Sequence, residues 1–221
     1  MKKRILIILY VLLLCGTVTF AWLSNAQNSI NKTVDVDYSQ GKAVITDFAF
    51  DAYLEEKVGD NYVAVEKDSA FAFDSNDTVP GARLPFRIRV KNLGTVEKKT
   101  KLVLDMQIDG YDPSADNANI LDVLYVEVVL GDGFSESGTR HAFKKLSEAT
   151  YKGNGLFSLE IYSEGEEIAV PIPSVVNARL KDLGKPQNGY ATFNCSFYYD
   201  QVAGAIYQGM GINALSFRLE Q

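Results

Sequence analysis

The chain has 221 residues, of which 47% are apolar and 11% aromatic, so it can bury a core and a disordered protein is excluded. Its formal net charge is −6, and its sequence contains no basic stripe suited to phosphate groups. We therefore expect no nucleic-acid partner, because binding to nucleic acid depends on clustered lysine and arginine.

The first residues predict a signal peptide over residues 1–21, preceding the domain as an N-terminal signal helix. Three cations in Met1–Arg4 are followed by the eleven apolar residues ILIILYVLLLC, whereas a membrane span needs roughly 20. Thr19 and Ala21 place small side chains three residues and one residue before a cut. Signal cleavage is therefore predicted between Ala21 and Trp22.

Two alternatives to this cut remain open. A second candidate cut follows Ala26, and an uncleaved membrane anchor results if the apolar segment is counted through Gly16–Trp22. We favour cleavage by a signal peptidase and a secreted product, in the extracellular matrix or at the cell surface. Removing the three leader cations makes the exported part more acidic, at −9. Only Cys195 then remains, so no internal disulfide forms, and we expect this cysteine to be buried.

Residues 22–38 are predicted to be a separate N-terminal segment with a role in assembly. In SINKTVDVDY, the apolar residues Ile30, Val34 and Val36 alternate with polar residues, as in a half-buried strand. Such a segment either forms the first strand of its own sheet or adds to the sheet of a neighbouring subunit. In the second case, head-to-tail repetition produces an open filament.

Residues 39–221 are predicted to form one all-β domain, a two-sheet jelly-roll-like sandwich with one or two short helices. Alternating polarity predicts strands at LPFRIRVKN and KLVLDMQID, each with one wet face, joined by a hairpin or a sheet-to-sheet crossover. The apolar run LDVLYVEVVL predicts a central strand that is covered on both faces. Further strands are predicted at GKAVITDFAF, NGLFSLEIYS, EEIAVPIP, YATFNCSFYYD and ALSFRLEQ.

Two segments predict helices. SVVNARLKDLG has Ser174 as a candidate N-cap and Gly184 as a stop, with Val176, Leu180 and Leu183 on one face. RHAFKKLSEAT is a second, weaker helical segment.

No catalytic, cofactor or metal site is predicted, so we do not expect an enzyme. His141 is the sole histidine, and the sequence contains no HExxH motif, nucleophile triad or glycine-rich phosphate loop. The loop DGYDPSADNAN gathers Asp109, Asp112, Asp116 and Asn117, whose oxygens suit calcium. Its spacing fits no EF-hand, and the same residue types form ordinary turns, so both interpretations stay open.

Four stretches resemble the family of exported bacterial proteins that includes the biofilm matrix fibre protein TasA and the camelysins. They are GTVTFAWLSN, VPGARLPFRIRVKNLGTVEKKTKLVL, AIYQG and the closing NALSFRLEQ, in an order that spans most of the chain. The resemblance implies a secreted jelly-roll subunit that polymerises through its N-terminal strand. It also implies a dedicated signal peptidase that cuts between Ala21 and Trp22, and it places Ile30, Val34 and Val36 in the neighbour's groove.

The predicted function is a secreted structural subunit of biofilm matrix or cell-surface fibres. Its main partner is another copy of the chain, and an accessory anchoring protein is a further candidate partner. One alternative is a monomeric surface module that binds carbohydrate or a host protein through aromatics such as Tyr198 and Tyr199. Another is a metalloprotease, as described for some camelysins, although the chain has no zinc motif.

Overall fold

Two antiparallel β-sheets pack face to face around a shared apolar core. The computed structural model describes residues 49–65, 80–109, 120–201 and 211–220, all of which belong to one compact unit. The all-β sandwich predicted from the sequence is confirmed. Within the described residues, no helix has the length and apolar character needed to cross a membrane.

The first sheet contains six strands: β1 (Phe50–Val58), β2 (Asn61–Ala64), β3 (Arg83–Asn92), β5 (Leu124–Leu130), β6 (His141–Lys145) and β10 (Ala191–Tyr199). The second contains β4 (Lys98–Asp109), β7 (Thr150–Gly153), β8 (Leu156–Glu160), β9 (Ile168–Val170) and β11 (Gly211–Glu220). Helix α1 (Pro173–Asp182) precedes β10, and two 3-10 turns span Ile120–Asp122 and Leu146–Glu148.

The chain crosses repeatedly between the sheets, as in a jelly roll. The strand order is β2-β1-β3-β10-β5-β6 in the first sheet and β11-β4-β8-β7 in the second, where β9 also pairs with β4. Passage from β3 to β4, from β4 to β5, and from β10 to β11 changes sheet each time. The β3–β4 connection is therefore a crossover between sheets, one of the two connections predicted.

Alternating polarity places the expected side chains in the core. Phe86, Ile88 and Val90 of β3 are buried, and so are the predicted apolar residues of β4. The prediction of one solvent-exposed face is wrong for β4, because Val103 and Asp105, on the face that points away from the core, are also buried.

Strand β5 is less buried than predicted. Its burial alternates, so that Leu124, Val126 and Val128 face the core while Tyr125 and Glu127 are only half-buried. The prediction of cover on both faces is therefore wrong. The apolar residues Tyr125 and Val129 lie on the outer face of the first sheet, where they fit the pleat without being enclosed.

One of the two predicted helices is present. Helix α1 buries Val176 and Leu180, but its N-cap is Ile172 rather than Ser174, because Pro173 takes the first helical position and the helix starts two residues earlier than predicted. The positive φ of Gly184 lets the chain leave the helix, as predicted.

The helix predicted at RHAFKKLSEAT is wrong. This segment forms β6 and then the 3-10 turn at Leu146–Glu148. Pairing with β5 satisfies the backbone groups of β6 that face it, and this tertiary contact overrides the local helix propensity.

Candidate functional site

The residues predicted to direct export and assembly lie outside the described part of the chain. These are the cleavage residues Ala21 and Trp22, and the assembly residues Ile30, Val34 and Val36. Almost all of the candidate calcium loop, the AIYQG stretch and residues 41–48 of the strand predicted at 41–50 also lie outside it. Each of these remains a prediction.

Strand β11 is the terminal strand of the second sheet as described. It is ten residues long and pairs with β4 from Gly211↔Asp109 to Glu220↔Lys101. Its inner face consists of Ile212, Leu215, Phe217 and Leu219, each at most 1% exposed. A long, apolar strand at the end of a sheet is a template for pairing with a further strand.

Beside β11, on the side away from β4, the second sheet has no further strand among the described residues. The order of β3, β4, β5, β6, β8, β10 and β11 is similar to that of seven of the eight strands of a jelly roll, and β1 and β2 extend the first sheet from β3. In a jelly roll the eighth strand lies beside the strand that corresponds to β11, and we call this place the acceptor position.

A buried ion pair fixes the register of β11 on its outer face. Asp105 of β4 has a side chain only 1% exposed, and it accepts a hydrogen bond from Nε of Arg218 at 2.6 Å. Ser158 of β8 donates its hydroxyl to the same carboxylate, and Arg218 also contacts Glu220. One carboxylate thus links β8, β4 and β11, and a shift of β11 would break the contacts of Arg218 with Asp105 and with Ser158.

A second polar network lies on the outer face of the first sheet and is centred on Glu127. One carboxylate oxygen is 3.0 Å from Nε2 of His141, and the other accepts from Arg83 and, at 3.2 Å, from the Ser196 hydroxyl. Partial burial alone would raise the pKa of Glu127, but the hydrogen bond and charge of Arg83 lower it below its usual 4.5. Glu127 therefore remains ionised near neutral pH.

This network is not arranged for nucleophilic catalysis. Its carboxylate stands between the Ser196 hydroxyl and the His141 ring, whereas a triad needs the imidazole to contact the hydroxyl. Cys195 is buried, as predicted, and burial raises the pKa of its thiol, which disfavours the reactive thiolate. Among the described residues, no three His, Cys, Asp or Glu side chains are grouped to hold a metal ion.

Aromatic side chains form a cluster beside the Glu127 network. The rings of Tyr125 and Phe143 stack with centroids 5.0 Å apart, and Tyr198 packs against both at 6.2 and 6.5 Å. Phe143 is 47% exposed. Tyr199, the neighbour of Tyr198, points into the core instead, so only Tyr198 of the two predicted aromatics is placed to meet a ligand.

Comparisons of this chain with models of protein families, with curated proteins and with solved structures find no match. A proposal for its function therefore depends on its sequence features and on the geometry of its two sheets.

Proposed function

We propose that this chain is a secreted structural subunit of extracellular fibres, of a biofilm matrix or a cell surface. The fibres grow when residues 30–38 of one copy occupy the acceptor position of the next. One observation carries this proposal: the ten-residue apolar strand β11 ends the described second sheet where a jelly roll has one more strand.

The N-terminal segment suits the acceptor position in length and in pattern. Nine residues, 30–38, can run beside the ten of β11, and Ile30, Val34 and Val36 supply apolar side chains for the inner face. Asp35 and Asp37 then lie on the opposite face, because side chains alternate along a strand. The contact joins different surfaces of two copies, so it repeats without closing and a fibre grows.

Export controls when this segment becomes available. The basic and apolar leader holds the uncleaved chain at the membrane, and cleavage between Ala21 and Trp22 by a signal peptidase would release residues 22–38. The resemblance of GTVTFAWLSN and of the closing strand to the TasA and camelysin family supports the same order of events. An accessory protein that anchors the first subunit would complete the assembly.

Substitutions on the two faces of the segment test this proposal. Replacing Val34 and Val36 with aspartate should abolish sedimentable polymers, because two short carboxylate side chains would be buried on the inner face, whereas the long side chain of Lys32 on that face can carry its ammonium group to the edge. The matched control, Asp35→Asn with Asp37→Asn, alters the other face and should leave polymerisation intact. Ultracentrifugation and electron microscopy of secreted chains, whose N-terminus is first verified by sequencing, measure the outcome.

An intact mature chain that stays monomeric at high concentration would contradict the proposal. In that case the aromatic cluster of Tyr125, Phe143 and Tyr198 favours the second candidate, a monomeric module that binds carbohydrate. Retention of the monomer on a glycan column would support that candidate. Cleavage of casein that a chelator stops would favour the metalloprotease instead.

A further inference from the structure

Strand β6 ends the first sheet and, within the described residues, pairs only with β5. The amide of Leu130 donates to the carbonyl of Arg140 at 3.1 Å, so in the ladder that follows, residues 142 and 144 direct their backbone groups toward β5. In an antiparallel ladder the intervening residues point the other way. The N–H and C=O groups of His141 and Phe143 therefore face the outer edge, where no described residue bonds to them.

A cleft accompanies this edge. It has a volume of about 240 Å³ and is lined by Arg140–Lys144 on one side and by Ile161, Tyr162 and Glu166 on the other. Ile161 and Tyr162 at its floor are almost fully buried, and the Arg140 guanidinium lies over the Tyr162 ring and donates to the Glu166 carbonyl. An edge with outward backbone groups beside a cleft for side chains is the arrangement that receives an added strand.

The side chains of β6 favour one kind of strand. His141, Lys144 and Lys145 give the strand only basic ionisable side chains, and Arg140 precedes it. Opposite charges directly across two strands stabilise pairing and like charges oppose it, so another β6 is a poor partner.

Nearby acidic residues do not cancel this preference. Asp122, Glu136 and Glu148 lie 3.7–3.9 Å from the cations of this edge, in exposed pairs that contribute little and exchange readily. Glu127 lies 3.0 Å from His141, but its carboxylate also accepts from Arg83, whose charge compensates it. The carboxylate of Glu166, at the cleft, is engaged by the Ser163 hydroxyl at 3.0 Å.

We propose that the β6 edge binds an extended acidic segment of a partner protein, which adds to the first sheet as a seventh strand. The backbone of the segment pairs with His141 and Phe143. Because side chains alternate along β6, the carboxylates of the segment lie on the outer face with His141 and Lys145, and its other side chains enter the cleft on the face of Ala142 and Lys144. The acceptor position lies on the second sheet, so this site is independent of polymerisation.

Two blocked peptides test the proposal, one of four Val-Asp repeats and one of four Val-Lys repeats. Calorimetric titration into the purified chain should show binding of the acidic peptide at least about tenfold tighter than binding of the basic peptide. Added salt should weaken the acidic complex, because the charges at this edge are exposed. Equal affinity for the two peptides would overturn the proposal.

Substitutions at the edge separate backbone pairing from charge. Phe143→Pro removes an outward N–H while sparing the β5–β6 ladder and should abolish binding, whereas Phe143→Ala keeps the N–H and should bind within about threefold of the parent. Lys144→Glu with Lys145→Glu should reverse the preference between the peptides. Lys152→Glu on β7, an exposed lysine of the second sheet, is the matched control and should change nothing.

Unchanged binding by both the proline variant and the double-charge variant would overturn the proposal. Loss of binding with undiminished polymerisation would support it and would separate it from fibre growth. Pairing of two copies through β6, seen as a dimer that Phe143→Pro dissociates, would replace the acidic partner with a second copy and overturn the proposal.

Discussion

Replacing Phe217 with alanine is expected to lower the free energy of unfolding by about 4 kcal/mol. The Phe217 side chain is fully buried on the inner face of β11, opposite Leu104 of β4. Its removal loses apolar contact and leaves a cavity that the surrounding side chains fill only in part. Urea unfolding of each variant, at a protein concentration too low for polymers to form, measures the change in the free energy of unfolding.

The control for this experiment is Leu183→Ala. Leu183 follows helix α1 and is 55% exposed, so its truncation should change stability by no more than about 0.5 kcal/mol. A loss below about 1 kcal/mol for Phe217→Ala would show that β11 does not anchor the core.

Replacing Arg218 with methionine is expected to cost about 3 kcal/mol. The carboxylate of Asp105 is almost fully buried, and Arg218 is the cation that compensates it. Without that cation, a buried charge keeps only its hydrogen bond from Ser158. The estimate is at the low end for a broken buried pair because Arg218 itself is 25% exposed.

A double variant isolates the interaction between the two side chains. Adding Asp105→Asn to Arg218→Met removes the uncompensated charge, so most of the lost stability should return. The contradicting result is additivity. If the double variant is less stable than Arg218→Met by as much as Asp105→Asn alone lowers the stability of the parent, the two residues act independently and the ion pair has no role in holding β11.

The sequence predicts best the strands whose side chains alternate strictly. Strand β3 and the second half of β11, from Leu215, have apolar residues at every second position, and this period indicates which side chains enter the core; between Ile212 and Ala214 the register of β11 shifts, which the period does not predict. Strand β1 starts with the same pattern but continues into the charged run EEK, and neither β1 beyond Phe50 nor β2 was predicted. These two strands are stabilised by pairing with each other and, for β1, with β3, and a local sequence pattern does not reveal such pairing.

The outward-facing sites were harder to predict than the core. Asp105 and Arg218 each stand alone among apolar neighbours, which hints at a buried pair, but they are 113 residues apart and meet only through the β4–β11 register. His141 and Phe143 lie in a segment rich in helix formers, so their place on a sheet edge depends on β5.

Hydrogen exchange at β11 tests most directly whether a second copy supplies the strand beside it. Exchange of the amides of residues 211–220, followed by mass spectrometry, is compared between polymers and the mature chain that lacks residues 22–38. We predict strong protection in the polymer, faster exchange in the shortened chain, and recovery of protection when a peptide of residues 30–38 is added. Equal protection with and without residues 22–38 would mean that these residues do not fill the acceptor position, and equal protection in the intact monomer and in the polymer would mean that the segment pairs within its own chain; either result would contradict strand addition between copies.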